Sequence, residues 1–286
     1  MIDNLILKFI KFRIKRQLKN VSVEKPIQLL DDFLKNYGSN DQKIISFTDK
    51  IIGKTNIDEY KNYISTPEYK SFKNEIDTKS KVFYNKPYQL GAIDHEIDVI
   101  VSLLSLLKSP KVLEIGVANG YSSAFIYHML AKNGGNITSI DLPRFYNKGK
   151  HPHQILLAWL AKRGKIKTTG TLGDIVPGGV IPADKYAGWL VPMRYRLSVP
   201  NITITGNAFR IMDEINRKDY DFVILDAMKD YKSRIIMLNK ILDMMNKDSI
   251  GVMDGYWVNS AFQDFCSINN LASWKLGRIG IFKKLK

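Results

Sequence analysis

The residues best placed to do chemistry begin with one run, Glu114-Ile115-Gly116-Val117-Ala118-Asn119-Gly120-Tyr121-Ser122-Ser123. Glycine tolerates left-handed backbone, so the chain can turn tightly here and let a ligand come close to the main chain. The spacing is E-x-G-x-x-x-G. A dinucleotide-binding loop needs G-x-G-x-x-G, with its first two glycines close enough to admit a pyrophosphate. Glu114 adds a negative charge that opposes phosphate and suits a cationic ligand. About 20 residues further on stands Asp141, the position from which a carboxylate grips the two hydroxyls of a ribose. Gly206-Asn207-Ala208 offers a side-chain amide that could read an adenine edge, and Asp226 offers another carboxylate.

These residues are useful only if one scaffold brings them together. Hydrophobic periodicity predicts such a scaffold. A helix is expected over 93–107, stopped by Ser109-Pro110. Short apolar strands follow at 111–115, 136–140, 202–205, 221–225 and 249–253, with helices at 122–131 and 231–245 between them. Strands alternating with helices indicate a parallel sheet covered on both faces, an α/β doubly wound arrangement. Ligands bind such sheets at the carboxyl ends of the strands. The glycine run, Asp141, Asn207, Asp226 and Asp254 all fall at those ends. Two further strands, 273–276 and 278–283 around Gly277, are expected as an antiparallel edge.

With these residues in place, the run VLEIGVANGYSS (112–123) resembles motif I of class I S-adenosylmethionine-dependent methyltransferases. Its Gly-Tyr-Ser ending is typical of the catechol and caffeoyl-CoA type of small-molecule O-methyltransferase. The resemblance implies a Rossmann-like fold with a C-terminal antiparallel strand, and S-adenosylmethionine as cofactor. That molecule has no phosphate and carries a sulfonium and an ammonium, as the charge of the loop asks. The implied cofactor-binding residues are Glu114, Gly116, Asn119, Gly120, Tyr121, Ser122, Asp141, Asn207, Ala208 and Asp226. The segment DFVILDAMKDY (221–231) is similar to the family segment whose strand ends in a metal-binding Asp, followed three residues later by a lysine general base. Asp226 and Lys229 match those positions as catalytic residues. In GVMDGYW (251–257) Asp254 matches a second Mg²⁺ ligand, whereas Gly255 stands where the family has an oxygen-bearing Asn. The implied reaction is methylation of a small-molecule hydroxyl, with Mg²⁺ on Asp226 and Asp254 assisting.

Other readings of the same residues stay open at this point. Asp226 and Asp254 could cap the segments that follow their strands, and Lys229 could be a solvated surface lysine. His151 and His153 could supply a base or a metal ligand, or simply face solvent. Trp159, Trp189, Trp257 and Tyr256 could wall an acceptor pocket or pack in the core.

The remaining sequence sets the outer bounds. Residues 1–88 read as a helical N-terminal region and 89–286 as the methyltransferase domain, with an insertion at 142–200 rich in proline. A loop of that length inside a compact domain is usually functional, so it is expected to cover the acceptor. The formal net charge of +15 favours anionic partners, which keeps an RNA methyltransferase in view as the alternative. The Asp226-Ala227-Met228-Lys229 segment lacks the Asn/Asp-Pro-Pro-aromatic pattern of enzymes that methylate base amines. Lys8, Lys11, Lys15 and Lys19 form a basic stripe at helical spacing beside apolar residues. That layout suits a membrane surface, a partner subunit in a homo-oligomer, or packing on the domain. A non-catalytic cofactor-binding module docked in this way is the third alternative. The single cysteine, Cys266, rules out a disulfide within the chain, and lysines and arginines interrupt the apolar residues at the N-terminus, unlike a signal peptide, so a cytoplasmic location is expected.

Overall fold

The computed structural model describes residues 63–84, 96–141, 187–215, 218–228 and 230–284. The basic N-terminal stripe, His151, His153, Trp159 and Lys229 lie outside the described residues.

Seven strands form one sheet: β1 (Lys111–Ile115), β2 (Asn136–Asp141), β3 (Asn201–Thr205), β4 (Tyr220–Leu225), β5 (Met245–Asp254), β6 (Ala272–Leu276) and β7 (Ile279–Lys283). Their order is β3-β2-β1-β4-β5-β7-β6. β1 to β5 pair in parallel, and β7 lies antiparallel between β5 and β6. The first five positions follow the Rossmann order, whose chain direction across the sheet reverses between β1 and β4. The fold is therefore the Rossmann-like sheet with a C-terminal antiparallel pair that the sequence predicts.

Side-chain alternation builds both faces of this sheet. Val112, Phe222, Ile224, Ile250, Val252, Ile279 and Ile281 point to one face. There they meet α1 (Pro67–Tyr84), α2 (Ile97–Ser105) and α3 (Tyr121–Asn133). Leu113, Ile115, Ile140, Val223, Leu225, Met253 and Phe282 point to the other face. They meet α5 (Ala208–Glu214), α6 (Tyr231–Met244) and α7 (Ala261–Ile268). A short α4 (Met193–Ser198) precedes β3.

Three details differ from the periodicity reading. The helical N-terminal region holds a helix, Pro67–Tyr84, whose bounds the sequence reading did not set. Tyr69, Phe72, Ile76 and Ser80 form its buried stripe, and the Thr66 hydroxyl caps its start through the Tyr69 N–H at 3.2 Å. These residues share a core with the sheet: the Phe72 ring stacks on His128 with centroids 4.1 Å apart. Burial lowers the His128 pKa to about 4, so the ring is neutral between Tyr63 and Tyr195. The short helices α4, α5 and α7 have too few turns to stand out by periodicity. β5 begins at Met245, before the expected 249, and reaches its regular register through an irregularity opposite Tyr220 and Phe222.

Candidate active site

The glycine run forms the turn from β1 into α3, beside the point where the sheet order reverses. Gly116 has φ 95° and Gly120 has φ 82°. Both conformations favour glycine. The close approach is made by protein backbone. A Cβ on Gly116 would lie 2.1 Å from the carbonyl oxygen of Asp226, and one on Gly120 would lie 2.5 Å from Cα of Gly188. The two glycines thus let the β4 exit and the end of the insertion press against the loop. This tight backbone packing is a role for the two glycines that their spacing did not reveal.

The strand ends are stitched to this loop. The Asp226 N–H donates to the Ile115 carbonyl at 2.8 Å, and the Gly116 N–H to that of Ile140 at 2.9 Å. Asp141, nearly buried, accepts the Ala118 N–H on Oδ2 at 3.0 Å. Gly206 donates its N–H to the Asp141 carbonyl at 2.8 Å, which draws the β3 exit alongside. Gly116, Ala118, Asp141, Asp226 and the Asn207-Ala208 pair therefore share one edge. Asn207 caps α5, its side-chain oxygen accepting from the Phe209 N–H at 2.9 Å. Its amide nitrogen is the end that remains suited to an adenine edge.

Three expected cofactor residues point elsewhere. Glu114 shares a face with Val112, as strand alternation requires, so its carboxylate lies beneath α3 rather than in the loop. It is fully buried and accepts hydrogen bonds from Ser122, Ser123 and Ser139 at 2.8–3.3 Å. Burial raises its pKa to about 7, against the opposing pull of the serine hydroxyls. Ser122 directs its hydroxyl inward to Glu114 at 2.9 Å, and the Tyr121 hydroxyl donates to Asp77 of α1 at 2.8 Å. These three side chains hold the loop and the start of α3 from behind.

The described end of the insertion, 187–200, packs against the same loop. Gly188 and Leu190 donate their N–H groups to the carbonyls of Ala118 and Asn119 at 2.8 and 3.1 Å. The Trp189 indole donates to Asn119 Oδ1 at 2.8 Å. Asn119 is buried by this contact, with its side chain turned to Trp189. Trp189 was only a candidate aromatic in the sequence, and nothing there reveals this pairing. Tyr256 and Trp257 form a half-buried turn after β5, and Tyr256 packs against Phe262.

The exits of β4 and β5 are joined by a residue that sequence reasoning missed. Arg234 of α6 is fully buried. Its guanidinium donates to the carbonyls of Met228 at 2.8 Å, Gly255 at 2.7 Å and Asp254 at 3.1 Å. Burial lowers its pKa, while the carboxylates of Asp254, Asp226 and Asp230 favour its charged form. An arginine thus supplies the positive charge that these acids require. Its signal was present, because Arg234, Met237, Leu238 and Ile241 lie on one helical stripe. Capping by Asp226 is excluded at α6, whose cap is Asp230, accepting from the Ser233 N–H at 2.9 Å.

The same geometry fits Mg²⁺ on Asp226 and Asp254 poorly. That ion takes six hard oxygens in near-octahedral geometry, several of them water, and needs one or two carboxylates free to face it. Gly255 contributes no side chain, and its carbonyl, with those of Asp254 and Met228, already accepts from Arg234. Asp254 Oδ1 also faces Arg278 Nε at 3.9 Å. Among the described residues, no group of three or more His, Cys, Asp or Glu stands where it could hold a metal. Among the same residues, no helix is long and apolar enough to cross a membrane.

No family model matches the chain, and no curated protein matches it. Among solved structures it aligns with the O-methyltransferase TomG of Streptomyces achromogenes, involved in tomaymycin synthesis and solved with S-adenosylmethionine. That alignment has TM-score 0.45 and 14% identity over 85% of this chain and 96% of that one. It also aligns with an O-methyltransferase from Bacillus cereus solved with S-adenosylhomocysteine, at TM-score 0.44 and 13% identity over 85% and 97%. A third is an S-adenosylhomocysteine-bound methyltransferase of Podospora anserina, at TM-score 0.44 and 12% identity over 87% and 97%. Superpositions this loose are likenesses only, and the fold stands on the strand order given above.

Proposed function

We propose that this chain is an S-adenosylmethionine-dependent methyltransferase acting on a hydroxyl of a small molecule. The observation that carries the reading is Asp141. Its carboxylate ends β2, beside the reversal of the sheet, and is held to the crest of the glycine loop through Ala118. An acid there is suited to a ribose diol. The neighbouring acid at the strand ends, Asp226, suits a cationic ligand and opposes a phosphate-bearing one.

When bound, S-adenosylmethionine supplies a methyl group on a sulfonium sulfur, which keeps the electron pair of the breaking bond. The chain's own residues bind and orient. Asp141 holds the ribose hydroxyls, the Asn207 amide meets the adenine edge, and the Gly116–Ala118 backbone lines the path between them. Asp226 adds negative charge beside the reacting centre, fixed by its N–H on Ile115. Holding the acceptor oxygen in line with the methyl carbon is the main contribution to rate. Lys229 follows Asp226 closely in sequence, and its amine, in the neutral form, takes the proton of the acceptor hydroxyl on Nζ while the oxygen's electron pair forms the new bond to the methyl carbon.

The test is methyl transfer from labelled S-adenosylmethionine by the full chain, offered a panel of phenolic and sugar hydroxyls and, separately, total RNA. Label in small molecules supports the reading. Label in RNA alone would replace it with the nucleic-acid alternative that the net charge keeps in view.

A further inference from the structure

The face of the sheet opposite α6 carries a second set of buried charges around the β5 exit. Glu96, at the N-cap of α2, is 1% exposed, Asp254 is 1% exposed, and Arg278, in the turn between β6 and β7, is 7% exposed. The backbone N–H of Arg278 donates to Glu96 Oε1 at 2.7 Å. Its side-chain Nε lies 3.9 Å from Asp254 Oδ1. Gly255 donates its own N–H back to the Arg278 carbonyl at 2.8 Å. Arg234 closes the group from the α6 side through the carbonyls of Asp254 and Gly255.

Two carboxylates and two guanidiniums therefore meet at one strand end. Burying an acid without a counter-charge is strongly unfavourable. A divalent ion brought to Asp254 would have to sit among these guanidiniums and compete with Arg278 for Oδ1. The β5–β7 register, which pairs Asp254 with Ile279, fixes Arg278 beside Asp254 whatever is bound nearby.

We infer that Arg234 and Arg278 fill the electrostatic place of a divalent cation at the β5 exit, so that this site takes no metal and Asp254–Arg278 is a positioning pair. The consequence for catalysis, transfer without a bound metal, rests on the methyltransferase reading. The charge cluster itself does not.

The experiment is a Mn²⁺ titration of the full chain followed by electron paramagnetic resonance, with melting temperature measured in chelator and in Mg²⁺. It needs no cofactor or acceptor, so its outcome is independent of whether the chain methylates anything. The expected result is an undiminished free-Mn²⁺ signal at equimolar protein, with the same melting temperature in chelator and in Mg²⁺. Arg278→Met should melt at a lower temperature, and Arg278→Lys, which keeps the charge, should recover part of that loss. One-to-one Mn²⁺ binding abolished by Asp254→Asn, or by Asp226→Asn if the first variant fails to fold, would overturn the inference. Mn²⁺ binding that survives both substitutions lies elsewhere in the chain and leaves the inference standing.

Discussion

The Asp141 carboxylate accepts the backbone N–H of Ala118 at 3.0 Å, which makes the end of β2 and the crest of the glycine loop one unit. Ala118 itself has φ 48°, outside the range most residues adopt. The bond to Asp141 helps to hold it there. The acid proposed to bind the ribose is thus oriented before any ligand arrives, which reduces what binding must order.

The Trp189–Asn119 contact gives the first prediction. It ties the end of the insertion to the loop by one indole hydrogen bond, and Asn119 is buried beneath it. Trp189→Phe keeps most of the packing and removes the donor. Stability should fall by about 1–2 kcal/mol, the range for a lost hydrogen bond to a buried group. Urea denaturation measures it. An unchanged midpoint would mean that the insertion and the loop are not coupled through this bond.

Glu114 gives a pH-dependent prediction. Its pKa in the folded chain is raised to about 7 from a usual 4.5, chiefly by burial. The folded state therefore holds this proton more tightly than the unfolded chain does. The stability it contributes is fully present below pH 4.5 and is lost as pH rises to about 7. The loss for this group is about 3 kcal/mol. Glu114→Gln keeps a polar side chain beside Ser122, Ser123 and Ser139 without the charge. Its melting temperature should fall less than that of the parent chain between pH 5 and about 7.5. Parallel profiles for the two proteins would contradict the assignment.

Lys229 follows Asp226 in the segment proposed to carry the proton transfer. Lys229→Met removes the amine with little change in length. Turnover should fall by about 100-fold or more, the usual contribution of a general base, while affinity for S-adenosylhomocysteine stays within about twofold. A variant that retains full turnover would return Lys229 to the solvated surface.

How much of this was legible follows from the range of each interaction. The strands and the helices over 121–133 and 231–244 carry their own hydrophobic period, so their existence and order are local information. The positions of Asp141, Asp226 and Asp254 follow, because each ends an apolar strand. The direction of Glu114 was also local. Its parity with Val112 places it under α3, yet its nearness to the glycines invites the opposite reading. Arg234 sits on a visible helical stripe, but that it clasps the Asp254 and Gly255 carbonyls depends on how α6 packs on the sheet. Trp189 meets Asn119 across 70 residues, and Glu96 meets Arg278 across 182. No local pattern encodes pairings of that span. They are set by sheet order and by the register of β7 on β5.

The central claim is that S-adenosylmethionine or its demethylated product binds with its ribose on Asp141. Calorimetric titration of S-adenosylhomocysteine into the full chain and into Asp141→Ala tests it most directly. The account predicts one site in the parent chain and a loss of about 1–3 kcal/mol in the variant, as expected when a charged hydrogen-bond partner is removed. No heat of binding in the parent chain, or equal affinity in the two proteins, would contradict it.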